Sequence, residues 1–269
     1  SSSFLLGSEI LTKLQLELLE RVRQQNPVVL TIPNMVTPDK VADGLSTIGA
    51  SPIMSLAPQE AAEMVKLADA ITINLGTIHE EQANEITTIL KNNQDQKPMV
   101  LDPVAIGASH YRLAFAKQLL QDHHFTVIRG NAGEIAALAN VNWHSRGIDG
   151  GSGQADLHEI AKVVAHQYHC IVALTGKSDI VTDGNNTFVN LLSTSYFVTN
   201  VGSGDVLSSV IAAYLGISKD YYAAACTATK VFTATGVKAA RESTGFGQWQ
   251  TKFRDELATI NSSEVLSVL

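Results

Sequence analysis

The sequence of 269 residues is poor in cysteine, aromatic residues and basic clusters, and it has no long apolar run. Its two cysteines, Cys170 and Cys226, lie within apolar stretches, which is typical of buried free thiols in a reducing compartment and not of a disulfide framework. No apolar stretch approaches the roughly 20 residues that a membrane-spanning helix needs. The formal net charge of −7, without Lys/Arg clusters, argues against nucleic acid or an anionic membrane as a partner.

The first residues carry no basic segment ahead of their short apolar stretch, unlike a secretory signal peptide. Together with the cysteine usage, this predicts a cytoplasmic protein. An apolar fraction of 45% is ordinary for a packed globular chain and too high for disorder. Since no repeat or linker divides the sequence, we expect a single domain over residues 1–269.

What the sequence does contain is an alternation of short β-branched runs and amphipathic helical patterns. Runs that are apolar on both faces and separated by helices indicate a parallel sheet covered on both sides. The predicted strands span residues 28–32, 70–75, 99–101, 126–128 and 170–174. The predicted helices before and between them span residues 9–24, 38–48, 59–67, 80–90, 112–120 and 157–168.

The pattern changes after Thr175. Residues 180–182 and 187–192 flank Asp183 and Gly184, a pair that favours the turns of a β-hairpin. Further helices are predicted at residues 206–215, 223–240 and 248–257, and the glycine-rich residues 147–153 predict a mobile loop. We therefore expect an α/β fold with a mostly parallel central sheet, helices on both faces and a small antiparallel edge.

Polar side chains follow several of the predicted strands. Asp102, Arg129 and Thr175 stand just after strand ends, and Asn131 and Glu134 come shortly after Arg129. Because the carboxyl ends of parallel strands meet at one sheet edge, these side chains should converge on a crevice where ligands bind. Each also has a purely structural interpretation: the spacing of Asn131 and Glu134 fits a helix capping box, and Asp102 before a proline fits a simple turn.

The most informative segment is Gly202-Ser203-Gly204-Asp205, which precedes an apolar helical run. Two glycines let the backbone close around a ligand, and the free amides and dipole of a helix start favour an anion. An adjacent carboxylate can take the proton of an incoming hydroxyl. The segment therefore predicts phosphoryl transfer, with Asp205 as the general base and Gly202, Ser203 and Gly204 as an anion hole. Alternatively, Asp205 is a first-turn acid that interacts with the helix dipole.

This glycine-rich segment resembles that of the ribokinase-like superfamily of small-molecule kinases. Over nearly its full length, the chain is similar to the hydroxyethylthiazole kinases of thiamine salvage. The strings that carry this second resemblance are Gly-Ala-Ser-Pro-Ile-Met at residues 49–54, Asn-Leu-Gly-Thr at 74–77, Leu-Asp-Pro-Val at 101–104, Arg-Gly-Asn-Ala-Gly-Glu-Ile at 129–135 and Ala-Leu-Thr-Gly at 173–176. The first and fourth strings together are specific, whereas Gly-Ser-Gly-Asp marks only the superfamily.

The resemblance implies a ribokinase-like three-layer sandwich. It implies ATP-dependent phosphorylation of the primary alcohol of 4-methyl-5-(2-hydroxyethyl)thiazole. Arg129 and Thr175 would contact ATP, with Asn131 in the same string as Arg129. Asp102 and Glu134 would hold Mg²⁺, partly through water.

The resemblance further implies a homotrimer with its sites between neighbouring subunits. Met54 and Gly202 would border the thiazole alcohol, and Asn34 lies in the same expected pocket. Two departures bear on this pocket: thiazole kinases often carry cysteine at the position of Asp205, and the family's Thr-Asn signature reads Pro33-Asn34 here. Because a thiolate can also accept a proton, we expect Asp205→Cys to keep substantial activity.

Three other functions stay open from the sequence. The acceptor could be another heterocyclic alcohol, such as a pyrimidine methanol. Nucleotide-repair dehydratases share the fold and a Gly-x-Gly-Asp segment, although the string at residues 49–54 fits the thiazole kinases. A ligand sensor without turnover could keep the fold, but it would not need Asp102, Glu134 and Asp205 together.

Overall fold

A central sheet of eight strands organises the molecule. The computed structural model describes residues 14–141 and 153–268, and the side chains of all of these except residues 153–156. The strands are β1 (Val28–Ile32), β2 (Ser51–Met54), β3 (Ala70–Asn74), β4 (Met99–Asp102), β5 (Val127–Asn131), β6 (Ile171–Thr175), β7 (Asp179–Thr182) and β8 (Thr187–Asn190). Their spatial order is β2-β1-β3-β4-β5-β6-β7-β8. Strands β1 to β6 run parallel, and β7 and β8 add an antiparallel edge, as predicted.

Helices connect most of the strands. Those in the described ranges are α1 (Glu17–Gln25), α2 (Pro38–Ile48), α3 (Ala61–Leu67), α4 (Glu80–Asn92), α5 (His110–Asp122), α6 (Ala132–Leu138), α7 (Gly153–Tyr168), α8 (Tyr196–Thr199), α9 (Ser203–Gly216), α10 (Tyr221–Arg241), α11 (Phe246–Thr259) and α12 (Ser262–Ser267). Two short 3₁₀ segments, Pro58–Glu60 and Ile106–Ala108, complete the regular structure of these ranges. None of the helices described has the length and hydropathy of a membrane span.

Alternate strand residues contribute to two apolar cores, one on each face of the sheet. Val29 and Val100 join the core beneath α1, α2 and α9 to α12, whereas Leu30 and Leu101 join the core beneath α3 to α7. Successive side chains of a strand point to opposite faces, so runs that are buried throughout require helices on both sides. The predicted three-layer α/β architecture is thus confirmed. Cys170 and Cys226 are buried and form no disulfide, as expected.

The sequence analysis missed some elements. Strand β2 was not predicted, because its four residues include Pro52 and are only half-buried. It lies at the edge of the sheet, where proline is tolerated since one side of the strand needs no partner. The short helices α6, α8 and α12 were also missed, because they hold too few residues to show a helical period. Of the helix predicted at residues 9–24 and the loop predicted at 147–153, residues 9–13 and 147–152 lie outside the described residues.

The two ends of the described chain are joined. The Ser262 hydroxyl donates to the carbonyl of Leu16, just before α1, at 3.2 Å. The Arg23 guanidinium of α1 donates to the carbonyl of Leu257 in α11, also at 3.2 Å. Helix α1 therefore packs onto elements that come more than 230 positions later in the chain.

Candidate active site

The carboxyl edge of the parallel sheet gathers most of the predicted site residues. The register pairs Asn74 at the end of β3 with Asp102 at the end of β4. It also pairs Asn131 at the end of β5 with Thr175 at the end of β6. Helix α9 begins at this edge and brings Asp205 to it in its first turn. The convergence expected from the strand ends is therefore observed.

A buried ion pair lies at the centre of this edge. The carboxylate of Asp102, which is 0% exposed, accepts a hydrogen bond from Arg129 Nη2 at 2.5 Å and one from Ser208 Oγ at 2.7 Å. Arg129 Nε donates to Ser208 Oγ at 2.9 Å, and Arg129 Nη1 donates to Thr175 Oγ1 at 3.2 Å. The sequence analysis did not identify Ser208, although a serine in an otherwise apolar helix was a usable signal. The guanidinium of Arg129 thus links β4, β6 and α9 at this edge.

The second oxygen of Asp102 has no hydrogen-bond partner among the described residues. Burial raises the pKa of this carboxyl to about 6; the nearby Arg129 opposes the shift, and Glu134 and Asp205 add to it. A buried oxygen of this kind is suited to a cation. Mg²⁺ takes one or two carboxylates and fills its other positions with water and phosphate oxygens, so the donor set fits this metal. Residues 14–141 and 153–268 contain no group of three or more His, Cys, Asp or Glu side chains that could hold a metal ion by themselves. Water and phosphate oxygens would have to complete the coordination.

Asn131 and Glu134 form the capping box that was one interpretation of the sequence. The Asn131 side chain accepts from the Glu134 amide at 3.0 Å, and Glu134 Oε2 accepts from the Asn131 amide at 2.8 Å. The other carboxylate oxygen, Oε1, accepts from the amide of Ala105 at 2.9 Å. Because each oxygen has two lone pairs, the cap leaves room for contact with a metal-bound water.

The glycine-rich segment makes a tight turn into α9. Gly202 has a φ of +91°, in the left-handed region that favours glycine. At Gly204, a Cβ atom would lie only 2.6 Å from Arg129 Nη1, so a larger residue would displace the guanidinium. The Ser203 amide donates to the Asn200 carbonyl at 3.1 Å and is therefore already engaged. Of the three residues predicted as an anion hole, Gly202 and Gly204 have available amides, since no hydrogen bond from either amide is found within the described residues.

The carboxylate of Asp205 is half-buried and has three neutral hydrogen-bond donors. Asn34 Nδ2 donates to Oδ2 at 2.9 Å, and Thr37 Oγ1 donates to the same oxygen at 2.5 Å. Asn74 Nδ2 donates to Oδ1 at 3.0 Å. The sequence analysis assigned Asn34 to the acceptor pocket and gave no role to Thr37 or Asn74. Asn74 could have been identified as a polar residue at the end of a buried strand. Nothing in the sequence around Thr37 points to a role for it.

Two further features border this edge. A cavity of about 460 Å³ runs from Arg129 and Thr175 to Ser203 and Gly204, with Phe197 on its apolar wall. Such a volume is ordinary for a small-molecule site.

Met54 ends the edge strand β2, beside Thr31 of β1, and is half-buried. It lies on the opposite side of β1 from Asn74, and no hydrogen bond links it to Asp205.

A glycine-rich helix start and an acid at the carboxyl edge of a largely parallel sheet fit a small-molecule kinase of the ribokinase-like class. The sequence profile of the hydroxyethylthiazole kinase family matches residues 19–263. The chain belongs to this family.

Individual relatives agree with this assignment. A hydroxyethylthiazole kinase of Limosilactobacillus reuteri, strain DSM 20016, is 51% identical over 249 residues, which cover 93% of this chain and 92% of that protein. The structure of the hydroxyethylthiazole kinase protein from Pyrococcus horikoshii OT3 superposes with a TM-score of 0.85 at 30% identity, and covers 94% of this chain and 95% of its own. A Bacillus subtilis pyridoxal kinase, with a TM-score of 0.56 at 18% identity over 78% of this chain and 91% of its own, is similar in fold alone.

Proposed function

We propose that the chain transfers the γ-phosphoryl group of ATP to the primary alcohol of 4-methyl-5-(2-hydroxyethyl)thiazole. The observation that carries the proposal is the carboxylate of Asp205 in the first turn of α9, directly after the glycine-rich segment. Three side-chain donors hold this carboxylate in place, and a general base acts by accepting the proton of the substrate hydroxyl. The family assignment supports the kinase over a dehydratase or a sensor.

The transfer needs little covalent chemistry from the protein. As the substrate oxygen forms its bond to the γ-phosphorus, the bond from that phosphorus to the bridging oxygen breaks, and ADP leaves with the electron pair. Asp205 accepts the hydroxyl proton. The Gly204 amide and the dipole of α9 stabilise the charge on the transferring group, assisted by Gly202, which shapes the turn.

Nucleotide binding is assigned to Arg129, Asn131 and Thr175. Arg129 uses three of its five N–H groups within the protein, which leaves two for phosphate oxygens. The apolar wall of the 460 Å³ cavity suits a purine base. We assign Asn34, Met54 and Gly202 to the acceptor side, because Asn34 contacts the base itself.

Magnesium is assigned to Asp102, through its unpartnered oxygen, and to Glu134, through water. A bound Mg²⁺ would neutralise charge on the phosphates. The contribution of the chain is to hold the Asp102 carboxylate in place, with Arg129 and Ser208 on its other oxygen.

A homotrimer with shared sites is the proposed assembly of this single kinase domain. Three apolar side chains beside the acceptor pocket, Met35, Val36 and Leu56, are 62% to 80% exposed, as expected of a surface that a neighbouring subunit covers. Light scattering should give three times the chain mass of 28.8 kDa, and Leu56→Glu should lower it. A cytoplasmic location is proposed because neither Cys170 nor Cys226 forms a disulfide.

The experiment that tests the function is an acceptor panel. The protein is incubated with ATP, Mg²⁺ and small heterocyclic alcohols, among them the thiazole alcohol and a pyrimidine methanol, and phosphomonoesters are detected by mass. Turnover of another alcohol without the thiazole alcohol would keep the mechanism and reject the substrate. No turnover with any alcohol would reject the kinase.

A further inference from the structure

The donors around Asp205 are fixed in direction by the backbone. Asn34 Oδ1 accepts from the amide of Val36 at 2.8 Å, so its amide nitrogen must point away from that contact and toward Asp205. Asn74 Oδ1 accepts from the amide of Gly76 at 2.8 Å, which turns its nitrogen toward Asp205 in the same way. Backbone N–H groups cannot act as acceptors, so neither side-chain amide can flip without losing a hydrogen bond.

Thr37 adds a third donor to this pair. Its hydroxyl lies 2.5 Å from Asp205 Oδ2 and 3.4 Å from Asn34 Oδ1, so its single proton goes to the carboxylate. Its methyl group packs against Gly202, where a Cβ atom would be 2.6 Å away. The three donors reach both oxygens of Asp205: Asn74 one of them, and Asn34 and Thr37 the other.

We propose that Asn34, Thr37 and Asn74 are positioning residues that specify a carboxylate, and not a thiol, as the base at position 205. This inference rests on the proposed function of Asp205 as the general base. A carboxylate has two oxygens with about four lone-pair sites, enough for three donors and the substrate hydroxyl. A cysteine offers a single sulfur, which cannot occupy the positions of two oxygens, so a buried donor is left without a partner.

The proposal reverses an expectation from the sequence. Resemblance alone suggested that Asp205→Cys would keep substantial activity. With the donors in place, we expect this variant to lose about 100-fold or more in kcat, on the scale of a lost general base. Removing the Thr37 hydroxyl should then help the cysteine enzyme while it harms the native one. An effect that changes sign with the partner residue is not expected of a merely structural threonine.

The test is a double-mutant cycle on kcat and KM. The proteins are the native chain, Thr37→Val, Asp205→Cys and the double variant; valine keeps the methyl contact with Gly202. Thr37→Val should lower kcat about tenfold, the equivalent of one hydrogen bond to a charged group, with the KM for ATP unchanged, and Thr37→Ser should restore it. The double variant should be about tenfold faster than Asp205→Cys alone.

A matched control separates this effect from a general response to lost hydroxyls. Thr72 is 1% exposed, and its hydroxyl has no partner among the described residues. Thr72→Val should leave kcat unchanged and should not rescue Asp205→Cys. Thermal unfolding of every variant checks the fold, and Thr37→Ala replaces Thr37→Val if the latter is unfolded.

Two results would overturn the inference: losses that simply multiply in the double variant, or near-native kcat for Asp205→Cys alone. A failure of the proposed function looks different. In that case Asp205→Asn would turn over at the native rate, which shows that position 205 carries no base.

Discussion

Two carboxylates at the same sheet edge have opposite surroundings. Asp102 is fully buried and is partnered by the charged guanidinium of Arg129, and one of its oxygens has no partner among the described residues. Asp205 is half-buried, its donors in the described part of the chain are neutral, and both of its oxygens are engaged. The first arrangement suits a fixed charge that holds a cation, and the second suits a group that exchanges a proton with substrate. The same residue type thus takes two roles because its depth and its partners differ.

The largest expected effect is on turnover, at Asp205. Asp205→Asn keeps the size of the side chain and removes the base, so kcat should fall by roughly 10²–10⁴-fold. Binding of ATP, measured by calorimetry, should change little, because the proposed nucleotide contacts lie on the Arg129 side. Near-native turnover would show that Asp205 is only a charge in the first helical turn, and that it does not differ in function from Asp102 as proposed.

The same substitution at Asp102 should lower stability as well as weaken the proposed metal binding. Asp102→Asn leaves Arg129 as a buried charge without a counter-ion, which costs about 3–5 kcal/mol in the free energy of unfolding. Urea denaturation of Asp102→Asn and Asp205→Asn side by side measures the difference. The double variant Asp102→Asn/Arg129→Met should recover part of the loss, because removing both members of a buried pair is far less costly. Equal losses for the two single variants would contradict the comparison.

A third acid, Asp179 at the proposed nucleotide end, shows how burial makes stability depend on pH. Burial raises its pKa from 3.8 to about 6, against hydrogen bonds from Gly176, Asn190 and Thr233. The folded state therefore binds this proton more tightly than the unfolded chain does. Its contribution to stability is fully present below about pH 4 and falls as the pH rises to about 6, by at most about 1.4 kcal/mol per pH unit.

Denaturation curves across this pH range check the sign. Asp179→Asn should flatten the fall between pH 4 and 6, because the neutral side chain no longer titrates. A variant whose pH profile parallels that of the native protein would show that Asp179 titrates at its ordinary value.

The smallest expected effect is at Glu134, where the structural and functional roles coincide. Glu134→Gln turns one acceptor into a donor that faces a backbone N–H, so stability should fall by about 1 kcal/mol, the scale of a lost cap. If Glu134 also acts on the metal, the Mg²⁺ concentration for half-maximal turnover should rise. Activity titrated with Mg²⁺ separates the roles: an unchanged requirement would leave Glu134 as a cap only.

The sequence predicted the layers of the fold well and its edges less well. Runs such as 28–32 and 70–75 are buried on both faces, so their composition reports their environment directly. Strand β2 was missed because an edge strand with half-buried residues has no such signal.

In the site, local motifs predicted Asp205 and the capping pair, since helix starts are determined by neighbouring residues. Thr37 and Asn74 lie 168 and 131 positions from Asp205, so only the folded chain shows that they share a carboxylate.

The junction between the chain ends bears on the order in which the protein folds. Helix α1 is made before the central strands, yet its contacts with Leu257 and Ser262 depend on residues made more than 230 positions later. Such long-range contacts close large loops and form slowly. We therefore expect α1 to remain exposed on the nascent chain while the central strands pair, and to dock only after residues 257–262 have been made.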